Sequence, residues 1–100
     1  MKAEKTKVKV EALLIHADGK QEMVSPKNGK DFKLEELQAF VGGWIEILTL
    51  TPKRIIVVNE EGKCNQLPIN TTATNIYCFA TKVTDVVVGD VLVCNPKYIK

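Results

Sequence analysis

Polar and apolar residues change their spacing several times along this chain, and each change predicts an element. From Lys7 to His16 they alternate at first, with Val8, Val10, Ala12 and Leu14 on one side and Lys7, Lys9 and Glu11 on the other. That two-residue period belongs to a strand covered on one face. Asp18-Gly19 is a strong two-residue hairpin signal, so Lys20 to Ser25 is expected to return as a partner strand until Pro26 stops it. The polar run Lys27 to Lys30, with Asn28-Gly29, reads as a turn or loop.

The period then lengthens. Leu34, Leu37, Gln38 and Val41 share one helical face, with Phe40 beside it and Glu35, Glu36 and Ala39 turned away. Asp31 is the expected N-cap, Glu35 and Glu36 suit the positive end of the helix dipole, and Gly42 provides the left-handed residue that closes the helix. Trp44 to Leu50 and Arg54 to Asn59 are rich in β-branched and aromatic residues, and Thr51-Pro52-Lys53 between them fits an antiparallel hairpin. Ile55 to Val58 is unbroken apolar sequence, which predicts a central strand. Glu60-Glu61-Gly62 makes a turn, after which Lys63 to Leu67 is expected to extend the sheet up to Pro68. Asn70 is the expected N-cap of a second helix marked by Ile76, Tyr77 and Ala80. Val86 to Val88 and Val91 to Cys94 read as a strand interrupted at Gly89-Asp90 and ended by Asn95-Pro96. The fold class is therefore α+β: a mixed, mostly antiparallel sheet of four to six strands, with one or two short helices on one face.

Composition adds limits. One hundred residues make a single domain, 1–100, able to bury roughly 60–65% of its unfolded surface. The chain is 45% apolar and 26% charged, ordinary values for a globular protein. A formal charge of +2 gives little reason to expect an anionic partner, although Lys2, Lys5, Lys7 and Lys9 make the first strand basic on one side. A nucleic-acid-binding accessory protein using those lysines and the tail Lys97, Tyr98 and Lys100 is the alternative reading. No run approaches the ~20 apolar residues of a membrane span, and the first residues lack a signal-peptide core, so a cytoplasmic protein is expected. Cys64, Cys78 and Cys94 lack CxxC spacing and read as free thiols.

Several segments also carry a resemblance. Leu34-Glu35-Glu36-Leu37-Gln38, Val41-Gly42-Gly43-Trp44-Ile45-Glu46, Val57 to Lys63, Leu67-Pro68-Ile69-Asn70 with Ala73-Thr74, and Val88 to Val93 follow in order the blocks of an uncharacterised family of small bacterial, phage and mobile-element proteins. The likeness spans Phe32 to Val93. Lys33 departs from it, standing where the family commonly offers a threonine able to cap the helix. The resemblance implies a compact α+β fold and a bacterial, phage or mobile-element context, with no assigned activity, cofactor or catalytic residue.

Candidate chemistry is sparse. Neither GxxxxGK[ST] nor GxGxxG occurs, so Gly42-Gly43 is no phosphate loop and reads as a helix end. His16 is the only histidine, no HExxH or CxxC spacing surrounds it, and no cysteine lies at a recognisable nucleophile turn. Neither catalysis nor a cofactor or metal is expected. Glu46, between Ile45 and Ile47, calls for a partner, and Arg54 across the hairpin is the natural one. The residues that stand out for binding are Trp44, Glu46, Arg54, Asn59, Asn70 and Thr72. They favour a non-enzymatic binding or interaction protein, ligand-sequestering or inhibitory in kind, whose partner is an unidentified small ligand or protein. Self-association is expected where an exposed Trp44 face or a free sheet edge is sticky.

Overall fold

The computed structural model describes residues 10–99. The chain has an α+β fold. Strands β1 (Ala12–Ile15), β2 (Gln21–Val24), β3 (Ile45–Thr51), β4 (Arg54–Asn59) and β5 (Val91–Cys94) form one sheet in the order β2-β1-β5-β4-β3. All four pairings are antiparallel. Helix α1 (Leu34–Val41) links β2 to β3, and helix α2 (Thr71–Thr81) links β4 to β5. A short 3-10 turn, Pro96–Tyr98, follows β5.

Turn chemistry sets the two hairpins. Between β1 and β2, Gly19 takes a φ of 98°, the Lys20 N–H donates to the Asp18 carboxylate at 2.9 Å, and the His16 N–H closes onto the Lys20 carbonyl. Register then pairs Leu14 with Glu22 and Ile15 with Gln21. Between β3 and β4 the pairing shifts between Thr49 and Thr51, a bulge that accommodates Pro52.

The helices cover opposite faces of the sheet, where the sequence suggested one. Ile55, Val57, Leu92, Cys94 and Leu14 pack with Leu37 and Val41 of α1 and with Phe32. Ile56, Val58, Val91, Val93 and Ile15 pack with Ala73, Ile76 and Tyr77 of α2. Alternate residues of one strand point to opposite sides, so the unbroken runs in β4 and β5 are buried on both faces. Because β2 and β3 are the two outer strands, the connection through α1 has to cross the sheet. Its crossing is held by Phe32, fully buried and set edge-on to Phe40 with ring centres 5.9 Å apart.

Helix ends follow local hydrogen bonding. The α1 N-cap is Lys33 rather than Asp31, because the Glu36 carboxylate turns back to accept from the Lys33 N–H at 2.9 Å and from the Lys27 N–H at 2.9 Å. These two amide donors hold the Glu36 carboxyl below its ordinary pKa, Lys33 contributing more. Asp31 instead accepts from the Asn28 side chain at 3.0 Å. Gly42 ends α1 in the left-handed conformation, φ 84°, its N–H donating to Gln38. Asn70 caps α2 through the Ala73 N–H.

Two expected strand segments do not form. Residues 60–66 are a run of turns in which Asn65 donates to Glu61 and Leu67 to Gly62, so Lys63 to Leu67 adds nothing to the sheet. Val88 makes a single isolated bridge with Ile69 rather than continuing β5. The first strand begins at Ala12, and its expected basic portion, Lys7 and Lys9 with Lys2 and Lys5 before it, lies outside the described residues.

Candidate functional site

A cleft opens where β3, the outer strand, meets α2 and the two segments flanking that helix. Leu48 of β3 and Val58 of β4 line it beside Tyr77 of α2, while Glu46, Glu60 and Cys64 stand with the 85–88 segment around it. Its volume is about 170 Å³. The strand register explains its make-up: Glu46 lies opposite Val58 and Leu48 opposite Ile56, so both project to the α2 side. The Glu60 N–H donates to the Trp44 carbonyl at 2.8 Å, carrying the ladder one step past the end of β3 and bringing Trp44 beside the same end of the cleft.

One ion pair ties the two loops that flank this cleft. The Lys63 ammonium lies 2.8 Å from an Asp85 carboxylate oxygen, and the same oxygen accepts the Val86 N–H at 2.7 Å. Lys63 first, then the Val86 amide, pull the Asp85 pKa below its usual value. Beneath, Thr74 Oγ1 accepts from the Val87 N–H at 2.8 Å and donates to the Val87 carbonyl at 3.2 Å, fixing the 85–88 segment to α2. A Cβ on Gly62 would come within 2.8 Å of Val88 Cγ2, so the 60s turn needs glycine to approach that segment.

The expected binding residues do not gather at one place. Of the six, only Glu46 and Asn59 line the cleft, and Trp44, 63% exposed, lies beside it. Arg54 does not pair with Glu46: it lies opposite Thr51, four positions along β4 from Val58, a separation of about 13 Å at strand spacing. It borders a different, shallow groove with Lys53, Cys94 and Tyr98. Asn59 is nearly buried, its Nδ2 donating to the Val41 carbonyl at 3.1 Å and its Oδ1 accepting from the Glu61 N–H at 2.8 Å, which locks the end of α1 to the 60s turn. Asn70 is also committed to the fold. Its Nδ2 donates to the carbonyls of Ile15 at 3.0 Å and Gly89 at 2.9 Å while its Oδ1 caps α2, which leaves no amide hydrogen for a ligand. Thr72 is half-buried in the first turn of α2. Tyr77, Lys63 and Asp85 were missed. Tyr77 carried a weak signal, an aromatic ring with a polar tip on an otherwise aliphatic helix face.

A second polar cluster sits away from the cleft. His16 Nδ1 lies 2.8 Å from Asp90 Oδ2 and His16 Nε2 lies 2.9 Å from Glu22 Oε2, so both ring nitrogens face acceptors. The hydrogen bond to Glu22 first, and that to Asp90 next, raise the His16 pKa and favour the doubly protonated ring. Asp90 also accepts from the Ala17 N–H at 2.9 Å. The ring, held between two carboxylates, joins β1, β2 and the entry to β5, and both of its nitrogens are engaged in these contacts. Among the described residues, no group of three or more His, Cys, Asp or Glu is placed to hold a metal ion. No helix among them is long and apolar enough to cross a membrane.

No curated protein and no solved structure matches the chain significantly. A family model described as Domain of unknown function (DUF3846) matches residues 9–98, and the chain belongs to that family.

Proposed function

We propose that this chain is a non-enzymatic binding protein of the cytoplasm of a bacterium or of a phage or mobile element within it, and that it acts by engaging a protein partner along the outer edge of β3. The observation that carries this reading is the edge itself. Among the described residues no strand pairs with that side of β3, a seven-residue strand, Ile45–Thr51, whose only charged side chain is Glu46. Trp44, just before the strand, is 63% exposed, and Ile47 within it is 45% exposed. Natural sheets blunt such edges with lysine, proline or a covering segment, because a row of free N–H and C=O groups templates another strand. Here the sequence carries no lysine or proline until Pro52, beyond the bulge. A partner strand would satisfy those backbone groups and bury Ile47.

The size of the cleft favours a protein partner over a sequestered small molecule. About 170 Å³ is well under the roughly 300–1,000 Å³ of most small-molecule pockets. The test is native mass spectrometry of the untagged protein purified from its own host, compared under gentle and denaturing conditions. A second protein lost on denaturation, and absent with the Trp44→Ala/Ile47→Lys variant, is the expected result. A wild-type protein that carries no second chain, or a retained small molecule, would overturn the reading.

A further inference from the structure

The cleft beside β3 is apolar within and acidic at its rim. Leu48, Val58 and Tyr77 supply hydrocarbon surface, while Glu46, Glu60 and Asp85 bring three carboxylates against the single ammonium of Lys63, a net −2 on a chain whose total is +2. Lys63 and Asp85 neutralise each other at 2.8 Å. Among the described residues the carboxylates of Glu46 and Glu60 have no ion-pair or hydrogen-bond partner.

We infer that this cleft receives a lysine or arginine side chain from an extended segment of the partner protein laid antiparallel along β3; the inference rests on the strand-addition reading above. In such a pair, directly opposed residues have Cβ atoms about 4.5–5.5 Å apart and project to the same face. A residue opposite Glu46 or Leu48 therefore enters the cleft side, and its immediate neighbours fall on the α1 side over Ile45 and exposed Ile47. A long basic side chain suits both parts of the cleft, its methylene stem lying on Leu48 and Tyr77 and its charged head reaching the acidic rim. The volume, about 170 Å³, gives room for one such side chain. An apolar side chain would leave Glu46 desolvated under the added strand without a partner, and an acidic one would be repelled. The partner segment thus reads apolar, basic, apolar along β3.

Two peptides test this, acetyl-Ser-Thr-Val-Lys-Val-Thr-Ser-amide and its counterpart with norleucine for lysine, each titrated into the ¹⁵N- and methyl-labelled full chain. The lysine peptide is expected to shift the amides of Ile45 to Thr51 and the methyls of Leu48 and Val58. It is also expected to bind at least about tenfold tighter than the norleucine peptide, the scale of one charge-assisted hydrogen bond in a partly dry site. A Glu46→Gln/Glu60→Gln protein should bind the two peptides alike, with its other resonances unmoved as evidence of folding. Equal binding of both peptides to the wild type, with β3 shifts, overturns the basic anchor and leaves strand addition standing. No β3 shift with either peptide up to millimolar concentration overturns both, as does a purified protein whose β3 is already paired with a second copy of the chain.

Discussion

Replacing Asn70 by alanine should be among the most damaging single changes outside the apolar core. The side chain is 1% exposed and makes three hydrogen bonds: two from Nδ2 to the Ile15 and Gly89 carbonyls, and one from the Ala73 N–H to Oδ1. Losing the cap costs about 1 kcal/mol. Each buried carbonyl stripped of its donor adds about 1–3 kcal/mol, so the total is about 3–5 kcal/mol when the lower half of that range is used. Against a stability of about 5–15 kcal/mol for a domain of this kind, the variant is marginal at 37 °C. Asn70→Asp separates the two contributions. Its carboxylate still accepts from Ala73, yet presents an oxygen to two carbonyls that need donors, so at neutral pH it should be at least as unstable as the alanine variant. Urea titrations followed by circular dichroism, read as the shift in midpoint at constant slope, measure both. An alanine variant within about 1 kcal/mol of wild type, or an aspartate variant equal to wild type, would refute the clamp and leave Asn70 as a cap alone.

Three further outcomes follow from the same geometry. Gly89→Ala places a side chain at φ 76° with its Cβ 2.9 Å from Leu67 Cδ1, and should cost about 1–2 kcal/mol from the left-handed backbone; adding Leu67→Ala should not restore the melting temperature, because that strain lies in the backbone. In the native protein, timed alkylation with mass readout should modify exposed Cys64 first, then Cys78, and spare Cys94, whose burial pushes its thiol up to about 11; early modification of Cys94 would contradict the packing of β5. His16 is more protonated in the fold than in the unfolded chain, so its contribution is fully present below its ordinary value near 6.5 and fades as pH rises through the raised native value. The stability difference between wild type and His16→Gln should therefore shrink across that window, by less than about 1 kcal/mol since both carboxylates are more than a third exposed, and denaturation midpoints for both proteins from pH 5.5 to 8.5 check it.

Much of the fold was legible in local patterns. Asp18-Gly19 announced one hairpin and Pro52 the other, Gly42 marked the end of α1, and Asn70 announced α2. The Ile55 to Val58 run predicts a central strand, and it implies more than that. An unbroken apolar run has no face to show to water, so a sheet centred on it must be covered twice, which already places α1 and α2 on opposite sides. The α1 N-cap was misplaced for a local reason. Asp31 has the right side chain for a cap, but Glu36 reaches back to the Lys33 N–H and serves that end of the helix without any cap side chain. Lys63 to Leu67 has the composition of a strand, whereas the chain must reverse there to begin α2, and Gln66, in left-handed backbone at φ 55°, helps make that reversal.

The site was less legible because a sequence shows which side chains are polar and hides which backbone groups need them. Asn59 and Asn70 stood out as amides at the ends of apolar runs, the same signature a ligand-binding amide would give. In this fold they sit where distant segments cross: Asn59 meets the carbonyl that ends α1, and Asn70 meets carbonyls of β1 and of the turn before β5, groups 18, 55 and 19 positions away in the chain. Ladder hydrogen bonds cannot serve carbonyls at such crossings, so a buried amide does, and its polarity is spent on the fold. The cleft has the opposite character. Glu46, Tyr77 and Asp85 come from three elements and mean little apart; only the antiparallel register, with Glu46 opposite Val58 and α2 lying over that face, sets them around one opening. What the fold leaves unsatisfied is a better guide to binding than what the sequence makes conspicuous. By that measure the two carboxylates and the backbone of β3 that lack partners among the described residues outrank every buried amide there.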